Sequence, residues 1–338
     1  MHRLFFSSLA FTGLMFVTAA SAAESSVTDP VGFTATTVAA NTTKALSLPL
    51  DNLPDFRGQV SSRTATKINT NNANFNVSYG PFGTNPHNVR MLSGASQGRQ
   101  FRIASNDSDT LTLQMGTLDL RTLIANGDRY EILTVETLGS LFGVANPDGL
   151  NTGNSAAAAD NVILTEGTAQ NTYFNNGSKW LKAGGGTTPQ NNRAILPEQG
   201  FLFVRRGGNL PFVLTGAVPI TKLRTDLPAN RTTLFANRFP VDYKLTPDGN
   251  FPGINFQNAP NWNSAAQFAN ADFVQIRNGN VWDTYYHNGS VWLKKGAENL
   301  GARNPIIKLG TSVSVTRRQG NGKPAILVQT LPYNLASN

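Results

Sequence analysis

An internal repeat in the second half of the chain is the strongest constraint on the fold. Shifting the sequence by 112 residues aligns 160–219 with 272–331 without a gap, and 18 of the 60 positions are identical. Chance would give far fewer identities, so duplication of one folding unit is indicated. The longest matched stretch reads TYFNNGSKWLK at 172–182 and TYYHNGSVWLK at 284–294.

The matched stretches are typical of β-hairpins. Each contains an Asn-Gly dipeptide, at 176–177 and at 288–289. This dipeptide favours a two-residue type I′ turn, in which both central residues have positive φ. With such a turn, the aromatic residue three positions before the dipeptide lies opposite the Trp three positions after it.

The two hairpins therefore predict two cross-strand aromatic pairs, Tyr173 with Trp180 and Tyr285 with Trp292. Large aromatic side chains most often fill the core of a β module. The alternative is a stacking platform for a sugar ring. Both interpretations remain open at the level of the sequence.

An arginine pair also recurs, at 205–206 and at 317–318. Each pair follows an alternating apolar segment, at 201–204 and at 312–316, and precedes a Gly-containing turn. We expect solvated charges at a hairpin tip, with an anion contact as the alternative. The candidate ligand-binding residues are thus Tyr173, Trp180, Arg205, Arg206, Tyr285, Trp292, Arg317 and Arg318.

The fold class predicted is all-β. Short alternating segments with frequent turn signals upstream of the repeat favour a small β-barrel or a sandwich, and two related β modules follow. The predicted organisation is a signal peptide at 1–22, an N-terminal β module at 23–138, and β repeats at 139–230 and 231–338.

The first 22 residues have the three parts of a secretory signal peptide: one basic residue, an apolar run and small residues before a cleavage site. No later apolar run is long enough to span a bilayer, and the chain has no Cys. We therefore expect Sec-type export to the periplasm, the cell surface or the medium, with no disulfides.

The formal net charge of +8 favours anionic partners such as acidic polysaccharide or other envelope components. Only 14% of the residues are charged, and the basic ones are spread along the chain. A dedicated nucleic-acid role is therefore not expected. Exposed edge strands of a β protein would also favour self-association.

One stretch resembles a catalytic motif. Gly94-Ala95-Ser96-Gln97-Gly98 matches the G-x-S-x-G pattern, whose Ser needs a strand before it and a helix after it. Here two strands follow, and only His87 and His287 could serve as base after signal removal. A turn is the better interpretation, and no catalytic residue is assigned.

Metal and cofactor sites are not predicted. Neither the H-E-x-x-H motif nor an EF-hand loop is present. The acidic stretch 106–109 could hold Ca²⁺ weakly, but it also suits a hairpin turn. A pair of carboxylates across a glycosidase cleft cannot be identified from sequence alone.

Several turn and strand motifs also resemble those of one protein family. They are DPVGF at 29–33, ALSLPL at 45–50, LSGASQGRQFRIASND at 92–107, NGDRYEIL at 126–133 and TLGSLFG at 137–143. Together with the NGSKW and FLFVRR stretches, they resemble an uncharacterised family of secreted, paralogous β-rich proteins from Verrucomicrobia and related bacteria. The resemblance implies a secreted β protein and assigns no activity.

The leading functional expectation is an exported, non-catalytic β-repeat protein of the envelope or extracellular space, structural or adhesive in role. The first alternative is carbohydrate binding through the Tyr and Trp faces. The second is a secreted hydrolase.

Overall fold

The computed structural model describes residues 29–80, 84–318 and 322–334. The protein is all-β, as predicted, with 41% of its residues in strands and 6% in helices. No helix of the described residues is long and apolar enough to cross a membrane. The predicted signal peptide and its cleavage site lie outside these residues.

The described residues begin with two strands, β1 (Val31–Val38) and β2 (Thr43–Leu46), which pair with other strands and not with each other. A seven-stranded antiparallel sheet with one short helix follows. Its elements are β3 (Pro54–Gln59), β4 (Ser62–Arg63), β5 (Lys67–Asn69), β6 (His87–Met91), β7 (Gln100–Asn106), β8 (Thr110–Leu113), α1 (Leu120–Leu123) and β9 (Arg129–Thr134).

The order of this sheet is β3-β9-β6-β7-β8-β5-β4. Alternation explains its strands: in β7 the buried Phe101 and Ile103 point to one face, and in β8 Leu111 and Leu113 do the same. They pack in a core with Tyr130. Of the two predicted alternatives the sandwich agrees with the structure, because no sheet of the described residues closes into a barrel.

The first repeat segment contributes a short helix and five strands. They are α2 (Leu138–Phe142), β10 (Asn161–Glu166), β11 (Ala169–Asn175), β12 (Trp180–Lys182), β13 (Phe201–Val204) and β14 (Leu210–Ala217). They form a five-stranded sheet in the order β12-β11-β10-β13-β2, and β14 pairs with β1. Both β1 and β2 thus belong to the sheets of the first repeat segment.

Among the described residues, the second repeat segment contributes nine strands, counting β15, which lies just before its predicted start at residue 231. They are β15 (Leu223–Leu227), β16 (Arg231–Ala236), β17 (Tyr243–Lys244), β18 (Phe273–Asn278), β19 (Val281–His287), β20 (Trp292–Lys294), β21 (Ile306–Ile307), β22 (Ser312–Arg317) and β23 (Ala325–Gln329). Three 3₁₀ turns, Phe256–Asn258, Phe268–Asn270 and Glu298–Leu300, connect them.

The two five-stranded sheets follow the same plan. In the second the order is β16-β22-β18-β19-β20, and β15 pairs with β23 as β1 pairs with β14. Leu46 pairs with Phe201, and Phe235 pairs with Val313. β2 and β16 thus occupy equivalent positions, although Leu46 and Phe235 lie 189 residues apart in the sequence. This separation exceeds the 112-residue offset because the seven-stranded sheet is inserted after β2.

The predicted type I′ turns are wrong. Asn175 pairs with Trp180, so the loop has four residues instead of two, and only Gly177 of the dipeptide has positive φ (95°). The cause is the side chain of Asn176, whose Oδ1 accepts a hydrogen bond of 3.0 Å from the backbone N–H of Lys179. The second copy has the same geometry.

Candidate functional site

The four predicted aromatic residues lie in the cores of the two repeat segments. Their exposed fractions are 1% for Tyr173, 0% for Trp180, 7% for Tyr285 and 2% for Trp292. The four-residue loop also shifts the register, so that Tyr173 pairs with Lys182. A buried ring has no face to offer a sugar, and these side chains act as core residues.

The expectation of solvated arginine pairs is wrong for the first arginine of each pair. Arg205 is 6% exposed and Arg317 is 1% exposed. Arg205 forms an ion pair with Asp160. In the second copy Arg317 Nε donates to Asp272 Oδ2 at 2.8 Å. A buried guanidinium needs such a partner, because removing an unpaired charge from water is very costly.

The second arginine of each pair anchors the same carboxylate by its backbone. The N–H of Arg206 donates to Asp160 Oδ1 at 2.7 Å, and that of Arg318 donates to Asp272 Oδ1 at 2.8 Å. Their side chains donate to backbone carbonyls in the preceding loop. All four predicted arginines therefore fasten that loop to the sheet.

The residues of the G-x-S-x-G stretch form a turn. Ser96 is 2% exposed, and its hydroxyl donates to the carbonyl of Leu123 at 2.7 Å. His287 lies in the second repeat segment, where Nδ1 is 3.0 Å from Ser264 Oγ. His87 lies 3.2 Å from Thr134 Oγ1. The structure does not place either His in hydrogen-bond contact with Ser96.

The acidic stretch 106–109 closes a hairpin between β7 and β8. Asp109 Oδ1 accepts from the N–H of Asn74, and Asn106 Oδ1 accepts from the N–H of Tyr79. These oxygens thus support the long connection after β5. Within the described parts of the chain, no group of three or more His or acidic residues is arranged to hold a metal ion.

A polar groove that the sequence did not predict lies where the seven-stranded sheet meets both repeat segments. It consists of three adjoining depressions of about 320, 180 and 390 Å³. Gly167 and Gln199 line the first two, and Arg99, Glu198 and Asp226 line the last two. We call it the junction groove. Its volume is in the range of small-ligand sites.

A buried ionic network adjoins this groove through Arg238. Asp51 accepts hydrogen bonds from Arg90 and, at 2.9 Å, from Arg238 Nη2, while Arg90 also pairs with Glu131. Asp51 belongs to the segment after β2, Arg90 and Glu131 to the seven-stranded sheet, and Arg238 to the second repeat segment. The network therefore ties all three parts together.

Burial and charge act in opposite directions on this network. Burial alone would raise the pKa of Asp51, but the guanidinium groups of Arg90 and Arg238 outweigh it and hold that pKa below its ordinary value. Burial lowers the pKa of Arg238, which shares its carboxylate partner with Arg90. Arginine remains protonated, so Arg238 is a fixed positive charge at the groove.

Unfulfilled hydrogen-bonding capacity is concentrated at the groove. Twelve buried side-chain polar atoms of the described residues have no hydrogen-bond partner, and six of them belong to residues that line the groove. The six are Asn88 Oδ1, Glu198 Oε2, Arg224 Nε, Thr225 Oγ1, Asp226 Oδ1 and Arg238 Nε. Buried polar groups normally form hydrogen bonds, so a cluster of unpartnered ones indicates a site for a polar ligand.

Sequence reasoning missed the groove because its walls come from three distant segments. One signal was available for the buried arginines: Asp160 and Arg205 are 45 residues apart, as are Asp272 and Arg317, and all four are identical between the copies. Opposite charges kept at the same spacing in both copies indicate an ion pair.

Comparison with known proteins finds no family model, no curated protein and no solved structure that matches the chain. The resemblance to secreted Verrucomicrobia proteins stays a prediction. The function must therefore be argued from the site itself.

The buried network predicts a specific pH dependence of stability. The pKa of Asp51 in the folded protein lies below its ordinary value of 3.8, so Asp51 stabilises the fold above that pH. The contribution is lost as the pH falls below that value. We expect the stability difference between wild type and Asp51→Asn to be largest near neutral pH and to shrink below about pH 4.

Urea unfolding of both proteins between pH 3 and pH 7 measures this difference. Asp55→Asn is the control, because Asp55 is more than a third exposed and lies outside the network. A difference between wild type and Asp51→Asn that does not change with pH would contradict the assignment.

Proposed function

We propose that this protein is an exported, non-catalytic β protein of the envelope or extracellular space that binds a polar ligand in the junction groove. The observation that carries the proposal is the cluster of unfulfilled polar atoms around that groove. Ordered water could satisfy some of them, but a polyhydroxylated ligand such as a glycan segment offers the same donors and acceptors in one molecule.

The bonding of the groove side chains favours binding over catalysis. Asp226 is paired with Arg99, and Glu198 lies 4.0 Å from Arg102. The hydroxyl of Ser96 is committed to a carbonyl.

A glycan array probed with residues 23–338 tests this function, at low and at physiological salt. We expect saturable binding to particular glycans. Gln199→Trp, which places a large ring between two depressions of the groove, should weaken it. Gln170→Trp is the control, because Gln170 is exposed on β11 and does not line the groove. Hydrolysis of a glycan, or equal binding by both variants, would contradict the proposal.

A structural or adhesive role has its own support in the ribbon of β1 and β14. Phe33 is 75% exposed, Val31 69% and Val213 57%, and neither strand contains a charged residue. The corresponding ribbon in the second repeat segment differs at its edge, since the N–H of Arg224 on β15 donates to the carbonyl of Gly98, in the connection between β6 and β7. The open face of β1 and β14 is the second candidate surface.

We propose a second copy of this chain as the partner for that ribbon. Two molecules of a protein with a net charge of +8 repel each other, and an uncharged apolar patch is where they can approach. The edge of β1 away from β14 has no paired strand among the described residues, which favours strand addition.

We expect wild-type protein to self-associate and Phe33→Ser to shift the equilibrium toward monomer in sedimentation velocity. Leu300→Ser is the matched control, because Leu300 is 61% exposed elsewhere on the surface. A monomeric wild type at high concentration would contradict this role and leave the groove proposal untouched.

A further inference from the structure

The middle depression of the junction groove has an excess of positive charge. Four arginines line it, Arg99, Arg224, Arg231 and Arg238, against two carboxylates, Glu198 and Asp226. We call these six residues the arginine subsite. Arginine is the side chain best suited to planar oxyanions, because its fork of N–H donors matches two oxygens at once.

Two of the four guanidinium groups have no carboxylate partner among the described residues. Arg99 pairs with Asp226, and Arg238 pairs with Asp51. The side chain of Arg224 donates only to the carbonyl of Ala95, at 2.9 Å, and its Nε is unpartnered. For Arg231, at the start of β16, the described residues provide no side-chain hydrogen bond and no ion pair. The uncompensated charge therefore lies at 224 and 231.

The same depression also has unfulfilled acceptors. Glu198 Oε2 and Asp226 Oδ1 accept no hydrogen bond, and Thr225, which is 6% exposed, has an unpartnered hydroxyl. An anion alone could satisfy the arginines but would offer no donor to the two carboxylate oxygens. A neutral sugar would offer donors but no charge. The ligand that fits must combine an oxyanion with hydroxyl groups.

From this pairing we infer that the arginine subsite binds a sugar that carries a carboxylate, a uronate unit of an acidic polysaccharide. The carboxylate lies between Arg224 and Arg231, and the ring hydroxyls donate to Glu198 and Asp226 after small rotations of these part-exposed side chains. This inference rests on the proposed function and names the ligand class for that groove.

The walls of the subsite favour an acidic sugar over a nucleic acid. Binding of single strands uses exposed aromatic rings on which bases stack. The aromatic residue of the subsite wall is Phe235, which is 1% exposed and belongs to the core. Polar side chains dominate the remaining surface.

Calorimetric titration of residues 23–338 with oligogalacturonate tests the inference, with its carboxyl-reduced neutral counterpart and inorganic sulfate as competing probes. We expect the uronate to bind, and Arg231→Gln to weaken it by about 10- to 100-fold, the effect of removing one charged hydrogen-bonding partner. The neutral oligomer and sulfate alone should each bind more weakly by at least about tenfold.

Arg129→Gln is the matched control, because Arg129 is exposed on β9, carries the same charge and does not line the subsite. Arg224→Gln is a second variant in case Arg231→Gln fails to fold, as judged by its melting transition.

Equal affinity for the neutral oligomer would overturn the inference while leaving glycan binding by the groove intact. Uronate binding that neither variant weakens would overturn the location. Sulfate binding equal to that of the uronate would show an oxyanion site without sugar recognition, and no binding of any glycan would contradict both proposals.

Discussion

We expect Trp180→Ala to lower the free energy of unfolding by about 3 to 5 kcal/mol. The indole is fully buried beneath the first five-stranded sheet and lies 5.6 Å from the ring of Phe142. Its Nε1 donates to the carbonyl of Gly143 at 2.8 Å. Alanine would leave a cavity and remove the donor for a carbonyl that the indole satisfies. Chemical unfolding of residues 23–338, followed by circular dichroism, measures the loss.

Trp282 provides the matched control. It lies half-buried on β19, where Arg277 stacks on its ring at 5.3 Å. Trp282→Ala should lower the free energy of unfolding by much less. The ring is only half-buried, and water can replace its contact with Arg277. If Trp180→Ala kept the wild-type stability and abolished glycan retention, the indole would be a binding platform and its assignment to the core would fail.

Local patterns were sufficient to predict several strands and to single out the Tyr and Trp residues that lie in the two cores. The alternation in β7 and β8 was visible because a strand places successive side chains on opposite faces. The identical Tyr and Trp of the two copies were visible because both copies need the same large side chains in their cores. These predictions depend on residues close together in the sequence.

Partners across long distances could not be predicted in the same way. The pattern of β1 indicates a strand, but nothing in it shows that Val38 pairs with Leu210 across the inserted sheet. The type of the Asn-Gly turn was predicted wrongly for a different reason. The Asn-Gly dipeptide favours a two-residue type I′ turn, but the side chain of Asn176 accepts a hydrogen bond from the N–H of Lys179. This hydrogen bond stabilises the four-residue loop instead.

The junction groove depends entirely on contacts between residues that are far apart in the sequence. Arg99, Glu198 and Arg231 lie in three segments that meet only after each sheet has formed. In the sequence each of them is an ordinary polar residue of a loop or strand. Their common feature, an unfulfilled polar environment, exists only in the folded chain.

We expect Asp272→Ala to lower the free energy of unfolding by about 3 to 5 kcal/mol, because it removes the carboxylate of the buried ion pair with Arg317. Both residues are at most 1% exposed. The carboxylate also accepts the backbone N–H of Asn263 at 2.9 Å and that of Arg318 at 2.8 Å. Alanine therefore removes the counter-ion and two backbone acceptors together. Thermal and chemical unfolding of residues 23–338 measure the effect.

The double variant Asp272→Ala with Arg317→Met distinguishes the effect of the buried charge from the effect of the lost backbone acceptors. If the loss of the Asp272–Arg317 ion pair causes most of the destabilisation, the double variant is more stable than Asp272→Ala alone, since an apolar side chain tolerates burial. It stays below wild type, because the carbonyls of Leu227 and Asn261 lose the donor that Arg317 supplies. A double variant as unstable as the sum of the two single variants would mean that the residues act independently. The pair would then not be the element that fastens the loop to the second five-stranded sheet.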